Sequence, residues 1–263
     1  LEIKKIAENK KFKEKKLGGE LKDVSSEAKS AYVKKVVSFL SSVSKSKLKI
    51  VVNSGNGAAG PTFDAIAEEV LVRFPNFKFI RVDHNPDSSF PNGIPNPMLI
   101  ENHAYNKKIV ISERADLGVA FDGDFDRCFF FDEKGNFISG EYILGLLAES
   151  FLRKYPSSKI VHDVRLVWNA EDIIKTNGGV SVKSKTGHAF IKDIMRKEKE
   201  IYCGEISAHH YFKEFSYCDS GMIPMLLILE LICCTGKTIS QLVEDRAKLF
   251  PSSGEKNFKV KEP

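Results

Sequence analysis

The stretch that decides the fold is residues 48–74, LKIVVNSGNGAAGPTFDAIAEEVLVRF. It begins with a β-branched apolar run at residues 48–52, which predicts a strand. A glycine-rich turn at residues 54–60 follows, and Pro61 stands where a helix can begin, because the missing proline N–H has no helical partner there. The apolar spacing over residues 63–74 predicts an amphipathic helix. Strand, turn and helix in this order are typical of a parallel sheet covered by helices.

The rest of the chain continues this alternation, interrupted by a proline-rich loop at residues 84–98. Further strands are predicted at residues 77–82, 117–121, 128–131, 159–162, 180–182 and 200–203. Further helices are predicted at residues 102–112, 141–154, 169–176, 190–197 and 222–234, the last with Ser220 as its N-cap. We therefore predict an α/β fold of two consecutive α/β domains with mixed, mostly parallel sheets, meeting near residues 133–141. No convincing sequence repeat relates the two halves.

Composition is that of a folded soluble protein, with 42% hydrophobic and 29% charged side chains over 263 residues. The formal charge of +5 comes from lysines near the two ends, so a basic face for nucleic acid is not supported. The longest apolar stretch, residues 222–234, is too short to span a membrane. Five scattered cysteines without a C-x-x-C pair predict reduced, mostly buried thiols and a cytoplasmic protein.

The most informative motif is Asp122-Gly123-Asp124-Phe125-Asp126-Arg127, directly after an apolar strand. Carboxylates at i, i+2 and i+4 in a tight turn can converge on one hard divalent cation, because oxygen ligands replace its hydration shell. An EF-hand is the natural alternative, but its sixth position requires glycine and here carries Arg127. A cation beside the carboxylates favours instead Mg²⁺ and Arg127 acting together on a phosphoryl group.

A second motif points elsewhere. Residues 55–60, GNGAAG, match G-x-G-x-x-G between a strand and a helix, and Asp83 ends the next strand, where a ribose-binding acid would lie. An NAD-binding dehydrogenase domain is therefore an alternative. It competes with a purely structural role, in which the glycines allow a tight turn and close helix packing.

Two more clusters follow predicted strands, where α/β proteins bind ligands. The first is Lys185-Thr186-Gly187-His188 and the second is residues 204–210, GEISAHH. A lysine for phosphate or proton transfer, with Glu205 and Ser207 for hydroxyls, is typical of a sugar-phosphate site. Zinc held by His209 and His210 with Cys203 or Cys218 is a weaker alternative, because adjacent residues usually point apart.

These motifs together resemble the bacterial phosphomannomutases of the α-D-phosphohexomutase superfamily, which also contains phosphoglucomutases. The resemblance covers nearly all of residues 30–260. The matching strings are residues 53–61 (NSGNGAAGP), 90–97 (FPNGIPNP), 122–127 (DGDFDR), 184–190 (SKTGHAF) and 204–212 (GEISAHHYF).

The resemblance implies particular residue roles. Asp122, Asp124 and Asp126 are expected to hold Mg²⁺, and Arg127 to contact the phosphoryl group. Lys185 is a candidate general acid or base. The residues expected to bind the sugar are Glu205, Ser207, His209 and His188.

Such mutases have four domains and convert mannose 6-phosphate and mannose 1-phosphate through a phosphoserine and a hexose 1,6-bisphosphate. We expect residues 29–136 to be the second, metal-loop domain and residues 137–250 the third, sugar-binding domain. Residues 1–28 would then link to a first domain and residues 251–263 to a fourth.

The chain departs from the family pattern in one respect. The serine motif Thr-Ala-Ser-His-Asn-Pro is absent, and the only His-Asn-Pro, at residues 84–86, follows Asp83. We therefore expect an excerpt that lacks the nucleophile and the fourth domain and is inactive alone. Phosphoglucomutase activity and a non-catalytic sugar-phosphate-binding paralogue remain alternatives.

Overall fold

The computed structural model describes residues 1–14, 18–165 and 168–252. Within them lie two five-stranded sheets. The helices are α1 (Glu2–Glu8), α2 (Ser25–Val37), α3 (Ala59–Arg73), α4 (His103–Glu113), α5 (Gly140–Lys154), α6 (Trp168–Thr176), α7 (His188–Glu198), α8 (Met222–Thr235) and α9 (Ile239–Leu249). The strands are β1 (Leu48–Asn53), β2 (Phe77–Val82), β3 (Leu117–Phe121), β4 (Cys128–Phe131), β5 (Phe137–Ile138), β6 (Lys159–Asp163), β7 (Val180–Ser184), β8 (Tyr202–Gly204), β9 (His210–Phe212) and β10 (Cys218–Asp219).

The two sheets have the same topology. The first has the order β2-β1-β3-β4-β5, and the second, read from its other edge, β7-β6-β8-β9-β10. In each, the first three strands in sequence pair in parallel and the last two are antiparallel. The predicted α/β fold with mixed sheets is confirmed, although half of the strand pairings in each sheet are antiparallel.

Side chains alternate between the two faces of each sheet, and the two faces pack into different hydrophobic cores. In β1, Ile50 and Val52 join a large shared core, whereas Val51 packs with Val110 of α4. The second sheet behaves in the same way, since Ile160 joins the shared core while Val161 packs with Ile191 of α7. One continuous core therefore joins the two sheets.

Two helices, called here the exchanged helices, each pack on a sheet other than the one they directly follow in the sequence. α5 comes after the first sheet in sequence but packs on β8 of the second, and α8 comes after the second sheet but packs on β4 of the first. Within the described residues no single helix has the length and apolarity for a membrane crossing; only α8 and α9 together, bent by 97° at their junction, meet those criteria.

Several local predictions were wrong. α3 begins at Ala59, so Pro61 lies inside its first turn, where a missing N–H costs nothing. The N-cap of α8 is Gly221, although Ser220 Oγ accepts a hydrogen bond from Met222 N at 3.3 Å. α8 is not the last helix, because α9 follows it.

The cysteines are less buried than predicted. All five are free, but only Cys128 and Cys203 are buried, while Cys234 is exposed. The lysine-containing segment at residues 253–263 lies outside the described residues.

Candidate functional site

The acidic loop, Asp122–Arg127, is the turn between β3 and β4. Asp122 directly follows the core residue Phe121 and is only 2% exposed. Both of its carboxylate oxygens accept hydrogen bonds from Arg127, whose Nε donates to Oδ2 at 2.7 Å and whose backbone N donates to Oδ1 at 3.3 Å. Phe125 tightens the turn with a left-handed conformation, φ 51°. The loop is therefore compact and holds its arginine against its first carboxylate.

The three aspartates converge as the sequence predicts. One oxygen atom each from Asp122, Asp124 and Asp126 lie within 4.8 Å of one another. Asp124 is exposed, whereas Asp126 Oδ1 is buried and has no hydrogen-bond partner. Three converging carboxylates, one with a buried oxygen that makes no hydrogen bond, fit a hard divalent cation.

The carboxylates of this loop differ in acidity. Burial raises the pKa of Asp122 to about 6 against the opposing charge of Arg127. The pKa of Asp126 falls to about 2, chiefly because His209 hydrogen-bonds to its carboxylate. The loop therefore combines one carboxylate that is costly to ionise with one that stays ionised.

The glycine turn, Gly55–Gly60, has a structural role beside this loop. A Cβ on Gly57 would lie 2.5 Å from Gly123 O, which accepts a hydrogen bond from Ala58 N at 2.9 Å. A Cβ on Gly55 or Gly60 would likewise clash with Pro95 or His84. These three glycines therefore allow a close approach of neighbouring loops that a side chain would prevent.

The exchanged helices support both loops. Gly221, at the start of α8, donates its N–H to Phe125 O at 2.9 Å, and a Cβ there would lie 2.6 Å from Arg127 O. Gly140, at the start of α5, packs in the same way against the turn that follows β8. A Cβ on Gly140 would lie 2.6 Å from Ile206 O of that turn. Each loop is therefore braced by the helix that follows the opposite sheet.

The second loop, named here the glutamate loop (Glu205–His209), connects β8 to β9, as the acidic loop connects β3 to β4. Glu205 is 1% exposed. Its Oε1 accepts from Gly187 N at 3.2 Å, and its Oε2 accepts from Tyr211 OH at 3.1 Å. Burial opposes ionisation, but the hydrogen bonds from His209, Gly187 and Tyr211 lower the pKa of Glu205 overall.

His209 joins the two loops. Its Nε2 lies 3.4 Å from Asp126 Oδ2, its Nδ1 lies 3.1 Å from Glu205 Oε2, and Ser207 Oγ is 3.0 Å from the same Nδ1. Burial disfavours the charged ring, but the two carboxylates outweigh it and raise the pKa of His209 to about 9. An isolated antiparallel bridge between Arg127 and His209 brings the backbones together as well.

The remaining predicted residues are only partly assembled. The rings of His188 and His209 lie 4.6 Å apart, so His188 belongs to the cluster. Lys185 is exposed, with its Nζ 5.6 Å from the centre of the Phe190 ring. No contact among the described residues joins Lys185 to the acidic loop. His210 is fully buried with its Nδ1 2.7 Å from Tyr202 OH, so it does not form the alternative zinc cluster with His209.

The sequence analysis missed an ion pair at the end of β6. Asp163 is fully buried and accepts hydrogen bonds from Arg165 Nη2 at 2.8 Å and from Ile206 N at 3.1 Å. It therefore links Arg165 to the glutamate loop. The sequence could have indicated Asp163 as a site residue, because it ends an apolar strand at the ligand-binding edge of the sheet.

Comparisons with known proteins agree with this geometry. Residues 30–135 match the family described as "Phosphoglucomutase/phosphomannomutase, alpha/beta/alpha domain II", and residues 139–250 match domain III of the same family. A phosphomannomutase from Salmonella montevideo is 55% identical over 89% of this chain and 51% of its own length. A phosphomannomutase from Vibrio cholerae is 50% identical over 99% of this chain and 56% of its own length.

A solved structure is also similar. It is a phosphoglucomutase/phosphomannomutase family protein from Burkholderia thailandensis, 27% identical with a TM-score of 0.80, over 92% of this chain and 51% of that protein. The chain therefore spans about half the length of the relatives it matches.

Proposed function

The chain belongs to the phosphoglucomutase/phosphomannomutase family, and we propose that it forms the metal-binding and sugar-binding middle of a phosphomannomutase. The reaction interconverts mannose 6-phosphate and mannose 1-phosphate through a phosphoserine and a hexose 1,6-bisphosphate. One observation carries the proposal: the Asp126–His209 contact brings the acidic loop and the glutamate loop together. A phosphoryl-binding group and a hydroxyl-binding group at one site are what a hexose phosphate requires.

The acidic loop is the phosphoryl end of the proposed site. Asp122, Asp124 and Asp126 would hold Mg²⁺, whose charge would stabilise the transferring phosphoryl oxygens. Of the three side-chain nitrogens of Arg127, only Nε pairs with these carboxylates among the described contacts. Its Nη groups are therefore available to donate to a phosphoryl oxygen.

The glutamate loop is the sugar end. The Glu205 carboxylate, fixed by Gly187 and Tyr211, would accept hydrogen bonds from sugar hydroxyls, and Ser207 would donate or accept at the next hydroxyl. His209 and His188 would bind the same sugar beside them. Lys185 is exposed at the end of β7 and would exchange a proton with a hydroxyl when substrate binds.

The domain boundaries belong to the same proposal. Residues 29–136 would form the second domain and residues 137–250 the third, with the linkers at 1–28 and 251–263 leading to a first and a fourth domain. The serine nucleophile would come from that first domain, so this chain alone would bind substrate without turning it over. Five free cysteines support a cytoplasmic location.

Binding to this chain tests the proposal directly. We would titrate Mg²⁺ alone, then mannose 1-phosphate in the presence of Mg²⁺, and NAD alone, while recording amide NMR shifts. Mg²⁺ should shift the acidic loop, and mannose 1-phosphate should shift the glutamate loop. Asp124→Asn should abolish the first response and Glu205→Gln the second. Glu244→Gln, an exposed carboxylate on α9, is the matched control and should change neither.

Two results would contradict the proposal. One is a response to NAD centred on the glycine turn. The other is the absence of any shift from mannose 1-phosphate in the presence of Mg²⁺.

A further inference from the structure

A cavity of about 270 Å³ lies at the carboxyl ends of β1 and β3, where α4 covers the sheet. It is named here the α4 cavity. Asn53 and Gly55 line it from the end of β1, Phe121 from the end of β3, and Tyr105 and Asn106 from α4. None of the residues assigned above to the metal ion, the phosphoryl group or the sugar lines this cavity. It is therefore a separate place in the first half of the chain.

The sheet topology favours ligand binding at this place. β1 pairs with β2 on one side and with β3 on the other, so the chain crosses the sheet in opposite directions before and after β2. The helices of the two crossovers cover opposite faces, because Phe63 of α3 shares a core with Val52 whereas Val110 of α4 packs with Val51. The loops after β1 and β3 therefore diverge and leave a crevice between them. Open α/β sheets bind ligands in such a crevice.

The charges in the α4 cavity select against anions. Asp83 and Glu101 line it, and its described lining contains no lysine, arginine or histidine. Two carboxylates without a cation repel a phosphate group. Carboxylate and amide oxygens accept hydrogen bonds from hydroxyl groups. The lining therefore favours an uncharged ligand that carries hydroxyl donors.

Asp83, the residue after β2, is held in place by the cavity wall. Its Oδ1 accepts hydrogen bonds from Asn92 Nδ2 at 2.8 Å and from Tyr105 OH at 3.3 Å. Its backbone has φ 44°, a left-handed conformation that is uncommon outside glycine and is concentrated at functional sites. No described contact engages its Oδ2. This second carboxylate oxygen is therefore available to a ligand hydroxyl.

Three asparagines form a hydrogen-bonded wall of the same cavity. Asn53 Nδ2 donates to Asn106 Oδ1 at 2.9 Å, and Asn106 Nδ2 donates to Asn102 O at 3.1 Å. Asn53 and Asn106 are only 6% and 5% exposed, so these buried amides are fixed by their partners. Asn102 Nδ2 donates to Asn96 O at 2.8 Å, which leaves Asn102 Oδ1 without a partner among the described contacts. The wall therefore offers a further acceptor oxygen.

The rim of the α4 cavity is apolar and exposed. Ile94 is 78% exposed and Tyr105 is 44% exposed, and Pro95 and Pro97 line the cavity with them. Ligand cavities typically combine such apolar walls with a few placed polar groups. A sugar ring presents the matching surfaces, because it has an apolar C–H face and hydroxyl donors at its edge.

We propose that the α4 cavity binds an uncharged sugar. Its hydroxyls donate to Asp83, Glu101 and Asn102, and its C–H face packs on Ile94 and Tyr105. The cavity volume is just below the ~300 Å³ at the lower end of ligand pockets, so the ligand has the size of a single sugar ring. The proposal does not rest on the mutase function, because the two sites share no assigned residue.

Amide NMR titration of the whole chain tests the α4 cavity. Mannose, glucose and ribose are the uncharged probes and mannose 1-phosphate is the charged one, all in the presence of Mg²⁺. We expect at least one uncharged sugar to give saturable shifts in residues 92–106. Mannose 1-phosphate should bind there at least tenfold more weakly, because of the two carboxylates. Its shifts in the glutamate loop report the mutase function separately.

Variants distinguish the two sites. Asp83→Asn and Tyr105→Ala should each weaken the binding of that sugar at least fivefold. Asparagine tolerates the left-handed conformation of residue 83, so Asp83→Asn should fold, and thermal unfolding checks this for every variant. Ile111→Ala, at an exposed residue of α4 outside the cavity, is the matched control and should leave the affinity unchanged. Glu205→Gln should leave it unchanged as well.

Three results would overturn the proposal. The first is no saturable shift in residues 92–106 from any of the three uncharged sugars. The second is binding of mannose 1-phosphate in the cavity as tight as that of the uncharged sugar. The third is a sugar response that Glu205→Gln abolishes and that Asp83→Asn and Tyr105→Ala do not affect, which would assign the sugar to the glutamate loop.

Discussion

The first and second sheets have the same strand order, but the turns at equivalent places carry different chemistry. The turn from the third to the fourth strand is Asp-Gly-Asp-Phe-Asp-Arg in the first sheet and Glu-Ile-Ser-Ala-His in the second. One gathers three carboxylates, and the other presents a single fixed carboxylate with a hydroxyl and an imidazole. The comparison teaches that the repeated topology delivers two loops to one place, while the residues in each loop decide what it binds.

The comparison extends to the supporting elements. Each loop rests on a glycine at the start of a helix, Gly221 for the acidic loop and Gly140 for the glutamate loop, and each of these helices follows the opposite sheet. Because α8 lies in residues 137–250 and packs on β4, it ties the two halves together. Four predictions test how far the halves are equivalent and how far they are independent.

The largest effect is expected from the shared core. Leu229 of α8 is 1% exposed within it, so Leu229→Ala should lower the free energy of unfolding by about 3 kcal/mol. Because the core is continuous, both halves should unfold in one transition by circular dichroism and by the intensities of amide NMR signals from each half. Leu249→Ala, at an exposed leucine, is the control and should change stability by less than about 0.5 kcal/mol. Two separate transitions would show that the halves are independent.

The second prediction concerns a difference between the sheets. His210 occupies in β9 the place that Cys128 occupies in β4, and burial lowers the pKa of His210 to about 3. The unfolded chain binds this proton near pH 6.5 and the folded chain does not, so stability is lost as the pH falls below 6.5. Relative to His210→Gln, the wild-type chain should lose about 2 kcal/mol between pH 7 and pH 5. Urea unfolding at both pH values measures this, and a difference that does not change with pH would contradict it.

Substitution of the two glycines that support the loops, Gly221 and Gly140, should cost less stability, and the two variants should differ in Mg²⁺ affinity. Gly221→Ala places a Cβ 2.6 Å from Arg127 O of the acidic loop, and Gly140→Ala places one 2.6 Å from Ile206 O of the glutamate loop. Each should cost about 1–2 kcal/mol. Gly221→Ala should also weaken Mg²⁺ binding, whereas Gly140→Ala should not. Calorimetry of Mg²⁺ binding with thermal unfolding measures both quantities. Equal loss of Mg²⁺ affinity in the two variants would refute the assignment of Gly221 to the acidic loop and Gly140 to the glutamate loop.

The smallest effect on stability is expected at the site itself. Asp124 is exposed, so Asp124→Asn should change the free energy of unfolding by less than about 0.5 kcal/mol. It should nevertheless lower the Mg²⁺ affinity at least tenfold, because a charged oxygen ligand is lost. Calorimetric titration of the variant measures this, with Asp116→Asn outside the loop as the control. Unchanged Mg²⁺ affinity would mean that the three aspartates are only a solvated turn.

Much of the fold was readable from local pattern. Strands β2, β3 and β4 begin and end where the sequence predicts. Strands β3 and β4 are buried throughout, and a continuous apolar run bounded by turn residues has few other interpretations. Helix α9 was missed although Thr238 and Gln241 form a capping box that the sequence displays. Strands β5, β9 and β10 have only two or three residues, too few for a pattern of their own.

Part of the candidate site could likewise be predicted from the local sequence, and part could not. The grouping of Asp122, Asp124 and Asp126 followed from local spacing, and their donor atoms do converge. The partners of Glu205 could not be predicted, because Gly187 and Tyr211 reach it from another loop and from β9. The roles of Lys185, His188 and Ser207 with substrate stay predictions.

The sequence by itself determined the α/β class, the family and the acidic loop, because strand periodicity, glycine turns and carboxylate spacing are all local features. Only the tertiary structure decided that the halves share one core, that their following helices are exchanged, and that Asp126 meets His209. The physical reason is that these contacts join residues far apart in the chain. Their partners are selected by how the sheets and the helices packed on them bury their apolar faces in one core, which no local pattern encodes.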